Sequence, residues 1–240
     1  MRKKILITGG AGGIGSAISK KFIEEGFEIY SLDLQTLNLG DKFHNIVCDV
    51  TSLNDLENTK EKLKGIKFSH IITLAGRALN DEWGTFDTIE PSSISKSIEL
   101  ILCGHLNTIR TFISEFANDN LNKSIVLISS INAYGGFGLP VYSSAKAGLI
   151  GFCKSVHPDL TKLGIRINTI CPGTIVTDAT LKESKDFDAL LKLTKLGRFM
   201  TKEEVADLAY ELCEKSSFTG KVINIDAGQN EVVNGTSNNI

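Results

Sequence analysis

Short runs rich in β-branched and other apolar residues alternate along this chain with longer segments whose apolar residues recur every three or four positions. The runs at 4–8, 27–33, 44–49, 69–75, 124–129, 165–171 and 221–226 read as strands. The segments 13–25, 53–64, 93–116, 140–163 and 202–214 read as helices. A run such as Ile125-Val126-Leu127-Ile128 carries no polar residue on either face, which suits a strand covered on both sides. Strands of that kind, alternating with helices, predict an α/β fold. The expected architecture is a Rossmann-like, doubly wound parallel sheet of about seven strands with helices on both faces. One domain is expected to span residues 1–240. The polar, lysine-rich stretch 178–199 breaks the rhythm after a strand's carboxyl end, where such sheets bind ligands, and reads as a substrate lid. The polar end, 234–240, reads as a frayed tail.

Composition fits one large core: 42% of the 240 residues are hydrophobic and 22% charged. The net charge of -2 is spread along the chain, so no basic stripe points to nucleic acid and no polybasic segment to a membrane surface. Five separated cysteines without a Cys-x-x-Cys pair suit reduced thiols in a cytoplasm. Four isolated histidines give no metal-ligand spacing. After Met1-Arg2-Lys3-Lys4 the apolar stretch Ile5-Leu6-Ile7 is too short for a signal peptide, and no run approaches the ~18 apolar residues of a membrane span. A cytoplasmic protein without a membrane segment is expected.

The first strand enters Thr8-Gly9-Gly10-Ala11-Gly12-Gly13-Ile14-Gly15 and then a helix. Glycines in such a turn let the backbone approach a diphosphate, and the free amides and positive end of the following helix face it. Gly9, Gly12, Gly13 and Ile14 are therefore cofactor-binding candidates. Asp33 ends the second strand, where a carboxylate accepts from both hydroxyls of an adenosine ribose. It would also repel a 2′-phosphate, by ~4 kcal/mol per unit charge at ~4 Å and an effective dielectric of 20. No Arg or Lys stands at 10–14 or soon after Asp33 to offset this, so the expected cofactor is NAD. Asp49, in Cys48-Asp49-Val50, is placed to reach the adenine amine; the alternative is a helix cap, for which Thr51 or Ser52 would serve equally well.

Tyr142-Ser143-Ser144-Ala145-Lys146 places a phenol and an ammonium one helical turn apart on one face. A phenol of pKa ≈ 10 is a poor acid-base group near neutrality, and a neighbouring cation favours its phenolate. Upstream, a buried strand delivers Ser129 and Ser130 to its carboxyl end; downstream, Pro172-Gly173-Thr174-Ile175-Val176-Thr177 follows another strand.

These spaced elements, from Thr8-Gly9 through Tyr142-x-x-x-Lys146 and Pro172-Gly173 to Asp226-Ala227-Gly228, resemble the short-chain dehydrogenase/reductase family over nearly the whole chain. The resemblance implies an NAD-dependent alcohol dehydrogenase or ketoreductase acting on a small alcohol or carbonyl substrate. Tyr142 would be the general acid/base, Lys146 its tuning and ribose-binding partner, and Ser130 the donor to the substrate oxygen, with Ser129 as the alternative. Val50, Ala75, Gly76, Pro172, Gly173, Ile175 and Thr177 would add cofactor contacts. No metal is implied. The helices 93–116 and 140–163 correspond to those that pair between subunits, so a homotetramer or homodimer is expected. Substrate walls are expected from Arg77, Trp83, Tyr134 and Phe137. Two departures stand out. The family's Asn-Asn-Ala-Gly reads Thr73-Leu74-Ala75-Gly76 here, which removes side-chain bonds that brace the sheet. Its helix asparagine, which holds a water in the proton path, aligns with Ile101; Glu99, His105 or Asn107 are the candidates to compensate, but helical spacing puts none of them at the same point, and they read first as exposed or interfacial. These departures motivate an alternative reading, an NAD-sensing protein with impaired catalysis.

Overall fold

The computed structural model describes residues 3–116, 122–135, 138–176, 187–214 and 217–229. Among these, seven strands form one sheet: β1 (Lys4–Thr8), β2 (Glu28–Asp33), β3 (Phe43–Val47), β4 (His70–Thr73), β5 (Lys123–Ile128), β6 (Ile165–Pro172) and β7 (Lys221–Ile225). Their order is β3-β2-β1-β4-β5-β6-β7 and every pairing is parallel. The order reverses between β1 and β4, so the connections after these two strands leave in opposite directions. In such sheets that reversal makes a cleft beyond the carboxyl ends.

Alternation along the strands feeds two cores. Ile5, Ile7, Ile29, Ile72, Val126 and Ile170 meet helix α1 (Gly13–Glu24) and helix α7 (Lys202–Glu214) on one face. Leu6, Tyr30, Ile71, Ile125, Leu127 and Ile167 meet the helices of the other face. Those are α2 (Leu53–Lys62), α4 (Gly104–Phe112) and α5 (Pro140–Lys162). The continuous apolar strands thus mark burial on both sides.

Most element limits shift by one or two residues from the sequence pattern. Three differences have consequences. The strand read as closing at Asp49 ends at Val47, so Asp49 lies in the connection. The long helix read over 93–116 is interrupted: α3 (Pro91–Ile98) passes through a π-helical turn, Glu99–Cys103, into α4. A π turn widens one turn by a residue while the backbone stays helical, so the flanking segments still read as one helix in the sequence. The stretch after β6 contains helix α6 (Phe187–Lys192), while the part of the expected lid at 178–186 and the tail at 234–240 lie outside the described residues. Among the described residues no helix is long and apolar enough to cross a membrane.

Candidate active site

The glycine-rich turn is fixed from both neighbours of β1. Gly9 N–H donates to Leu32 O at 2.8 Å. The Thr8 hydroxyl accepts from the amides of Leu74 and Ala75 at 3.2 and 3.3 Å. Gly9 has φ +72°, and a Cβ there would stand 3.0 Å from the Ala75 backbone. At Gly15 a Cβ would meet Gly9 O at 2.0 Å. Both positions therefore require glycine. Helix α1 makes its first backbone bond from Ser16 N–H to Gly12 O at 2.7 Å, so the amides of Gly13, Ile14 and Gly15 precede it. Gly12 caps the helix without a side-chain bond, and the first turn carries no acid. A side-chain-free cradle at a positive helix end fits a diphosphate.

Asp33 stands at this turn's edge. Its Oδ2 accepts from Ala11 N–H at 3.0 Å and its Oδ1 from Gln35 N–H at 2.9 Å. The carboxylate is thus pinned to the turn that would carry the phosphates. Asp49 is tied locally, its Oδ1 accepting from Thr51 N–H at 2.9 Å and from the Thr51 hydroxyl at 2.7 Å. The cap of α2 is Ser52, whose hydroxyl accepts from Asp55 N–H, so Asp49 is not the cap. Val50 is buried beside it.

At the other end of the cleft, Tyr142 and Lys146 occupy the first two turns of α5. The Lys146 ammonium lies 5.7 Å from the centre of the Tyr142 ring and donates to Ile128 O at 2.8 Å. Burial lowers the Lys146 amine to about 8. Burial likewise pushes the Tyr142 phenol up to about 12, a hydrogen bond with Ser130 opposing the rise and the charge of Glu82 adding to it. The phenol of the ligand-free chain is therefore held protonated. The expected acidification draws on Lys146 together with the charge of bound oxidised nicotinamide; here the amine is bonded to the carbonyl that ends β5. The two serines divide: Ser129 donates to Lys146 O at 2.8 Å, whereas Ser130 faces Tyr142 and exchanges bonds of 3.1 Å with Asn132, donating to its Oδ1 and accepting from its N–H.

The two departures in the sequence meet at the end of β4. Ile101, in the π turn, is fully buried, and a Cβ on Gly76 would lie 3.1 Å from its Cγ1. His105, read from the sequence as exposed or interfacial, is fully buried instead. Its Nδ1 lies 2.9 Å from Thr73 Oγ1 and its Nε2 2.9 Å from Ala75 O. Only the Nε2–H tautomer satisfies both contacts: the ring donates to the carbonyl and accepts from the hydroxyl. Burial, then the charge of Lys146, depress this imidazole to about 3, so it is neutral. A histidine from α4 thus supplies bracing to the β4 connection that the missing asparagine cannot.

The turn after β6 is held by Gln229, which sequence reasoning missed. Gln229 Oε1 accepts from Thr174 N–H at 2.9 Å and its Nε2 donates to Thr174 Oγ1 at 3.0 Å. Gly173 N–H donates to Ile225 O, and Ile175 is buried in a bridge to Met200. Pro172 ends β6. Thr177 and Phe137 lie outside the described residues. Of the expected substrate walls, Trp83 is 54% exposed at the cleft-side loop, Arg77 is exposed, and the Tyr134 hydroxyl donates to Asn224 Oδ1 at 2.8 Å.

Comparison with known proteins decides the lineage. The family model "short chain dehydrogenase" matches residues 3–188. The chain belongs to the short-chain dehydrogenase family. This family member is 32% identical to the 3-oxoacyl-(acyl-carrier-protein) reductase of Thermotoga maritima, with 94% of this chain and 97% of that one aligned. It is also 32% identical to an uncharacterized oxidoreductase of Schizosaccharomyces pombe, over 93% and 89% of the two chains. Among solved structures it is similar to the ligand-free aldohexose dehydrogenase of Thermoplasma acidophilum, at TM-score 0.84 and 26% identity, covering 100% of this chain and 98% of that one. The dehydrogenase is thus an oxidoreductase whose family uses a nicotinamide cofactor, NAD or NADP, on small-molecule substrates.

Proposed function

We propose that this dehydrogenase uses NAD(H) to interconvert a secondary alcohol and a ketone, with Tyr142, Lys146 and Ser130 as its catalytic residues. The observation that carries the reading is Tyr142 beside Ser130 at the start of α5, with the Lys146 ammonium one turn on and 5.7 Å from its ring centre, across from the glycine-rich turn. When bound, the nicotinamide supplies or accepts the hydride. Ser130 donates to the substrate oxygen, where negative charge grows as the carbonyl is reduced. Tyr142, held as the phenol, delivers its proton to that oxygen. Lys146 is charged below about 8 and replaces the lost proton's field with its own, and it donates to the ribose once released from Ile128 O. Gly9, Gly12, Gly13 and Ile14 would hold the diphosphate, Asp33 the adenosine ribose, and Asp49 with Val50 the adenine. Ala75, Gly76, Pro172, Gly173, Ile175 and Thr177 would line the nicotinamide half.

Asp33 supports NAD over NADP, because a carboxylate fixed by two backbone amides cannot swing away from a 2′-phosphate. The named relatives suggest the probes: acetoacetyl-CoA as a 3-oxoacyl thioester and glucose as an aldohexose, each with NAD(H) and NADP(H). Cofactor absorbance reports turnover. Reduction of the 3-oxo ketone with NADH supports the reading, whereas oxidation of glucose alone, at a hemiacetal carbon, would replace the ketone with a lactone-forming substrate; tight NADH binding with no turnover across a broad carbonyl and alcohol panel favours the sensing alternative, which Ile101 motivates. We also infer a cytoplasmic homodimer or homotetramer joined through α4 and α5, where Leu106, Phe152 and Val156 remain only partly buried. Sedimentation equilibrium at micromolar concentration tests it; a monomer would refute it.

A further inference from the structure

Helix α5 lacks a local cap. Its cap residue, Leu139, is in the left-handed region at φ 55° and brings no side-chain acceptor, and Pro140 has no N–H to offer. The first backbone bond of the helix runs from Ser143 N–H to Leu139 O at 2.8 Å, so the amide of Tyr142 falls among the groups that an α-helix leaves unpaired. Glu82 takes it. Glu82 lies in a 3-10 turn (Asn80–Trp83) of the connection after β4, far from Tyr142 in the chain, and its Oε2 accepts from Tyr142 N–H at 2.7 Å. Glu82 is itself only 1% exposed. Its other oxygen, Oε1, accepts from Leu79 N–H at 3.2 Å and from the hydroxyl of Ser97 on α3.

We propose that Glu82 is a positioning residue for Tyr142: a buried carboxylate that clamps the loop after β4 and helix α3 onto the catalytic residue's own amide, fixing where the phenol stands. This rests on the catalytic reading of Tyr142 given above. The bond is made to the backbone of the reacting residue, so a movement of Glu82 becomes a movement of the phenol rather than of a distant turn. A carboxylate also complements the positive end of α5 better than a neutral cap would. The same loop carries the exposed Trp83 and Phe86, so whatever rests on these rings is linked through Glu82 to Tyr142.

The carboxylate acts on the phenol by charge as well as by position. The groups facing Tyr142 are Glu82 from the loop, Lys146 from its own helix, Ser130 after β5 and Cys171 on β6, with His105 of α4 next beyond Lys146 and neutral. Glu82 opposes the phenolate, and Glu82→Gln removes that charge while keeping an oxygen for the amide.

Two measurements test this. Hydrogen exchange of the Tyr142 amide, which needs neither cofactor nor substrate, is expected to speed up on the order of tenfold in Glu82→Ala, the loss of one charge-assisted bond, and to return towards wild type in Glu82→Gln. The Cζ carbon of Tyr142, labelled with 13C and assigned by its absence in Tyr142→Phe, is titrated in protein saturated with NAD. Its transition is expected at lower pH in Glu82→Gln than in wild type, a shift that a purely structural cap would not produce. If Glu82→Ala fails to fold, Ser97→Ala, which releases the other side of the clamp, is expected to raise the exchange rate instead. Unchanged exchange in Glu82→Ala, or a titration in Glu82→Gln at or above the wild-type pH, overturns the proposal. Loss of the catalytic reading shows differently: Tyr142→Phe would then turn over substrate like wild type, whatever the amide does.

Discussion

The two ends of the cleft are built by different means. At the nucleotide end, β1, the glycine-rich turn, α1 and the end of β2 hold one another chiefly through backbone amides and one carboxylate at the turn's edge, as in Ser16 to Gly12, Gly9 to Leu32 and Asp33 to Ala11. At the reacting end, buried side chains from other elements do the holding: Tyr142 by Glu82, the β4 connection by His105, the turn after β6 by Gln229. The nucleotide end is a backbone structure that glycine and one carboxylate largely specify. The reacting end is a meeting of four elements, and its precision depends on buried polar groups whose partners are long-range. Substitutions there should therefore change chemistry and stability together, while those at the nucleotide end should change binding alone.

The sharpest separation of the two ends comes from Tyr142→Phe. Removing a general acid lowers turnover by roughly 10²–10⁴-fold. NADH affinity, measured by fluorescence titration, should stay near that of wild type. Equal losses in both would mean that the ends are not separable.

Next in size is His105→Leu, which strands Thr73 Oγ1 and Ala75 O in the core. Each unpaired group costs about 1–3 kcal/mol, read from denaturant unfolding. The pH dependence has a definite sign. The native imidazole titrates at about 3, against 6.5 when unfolded. As pH falls below 6.5 the unfolded chain takes up a proton that the folded one refuses, so this contribution to stability is present above 6.5 and lost progressively towards 3. His70, also buried and depressed, adds a loss of the same sign. His105→Leu should therefore be less stable at neutral pH yet lose less on acidification than wild type. An identical acid slope in the two proteins would remove His105 from the account.

The smallest effect belongs to Asp33→Asn, which keeps an oxygen for Ala11 N–H but drops the charge. Preference for NADH over NADPH, as a ratio of kcat/KM, should fall on the order of tenfold. Turnover at saturating NADH should hold. An unchanged ratio would take Asp33 out of the specificity argument.

The same contrast explains what the sequence made legible. Glycines at 9 and 15 announce themselves because a positive φ and a 2.0 Å approach admit no other residue. Strand and helix order follows from apolar spacing, and the sheet order obeys it. Tyr142 and Lys146 are visible as a pair because helical spacing alone puts them on one face. His105 is visible only as a polar residue near Ile101, since a regular helix does not aim it at the point where Ile101 stands; the π turn at Glu99–Cys103 lies just before it. Glu82 in Asn80-Asp81-Glu82-Trp83 looks like any surface acid, because its burial is decided by α3 and α5. Gln229 after Asp226-Ala227-Gly228 is similarly silent. Buried polar partners are chosen by tertiary approach, and a linear pattern of hydrophobicity does not encode that approach.

The most direct test is a crystal structure of the NADH complex. The account predicts the diphosphate over the amides of Gly13 and Ile14, the adenosine ribose on Asp33, and the reactive carbon of nicotinamide beside the Tyr142 phenol, with Lys146 turned from Ile128 O to the ribose. A nicotinamide ring lying away from Tyr142, with Lys146 still on Ile128 O, would contradict it.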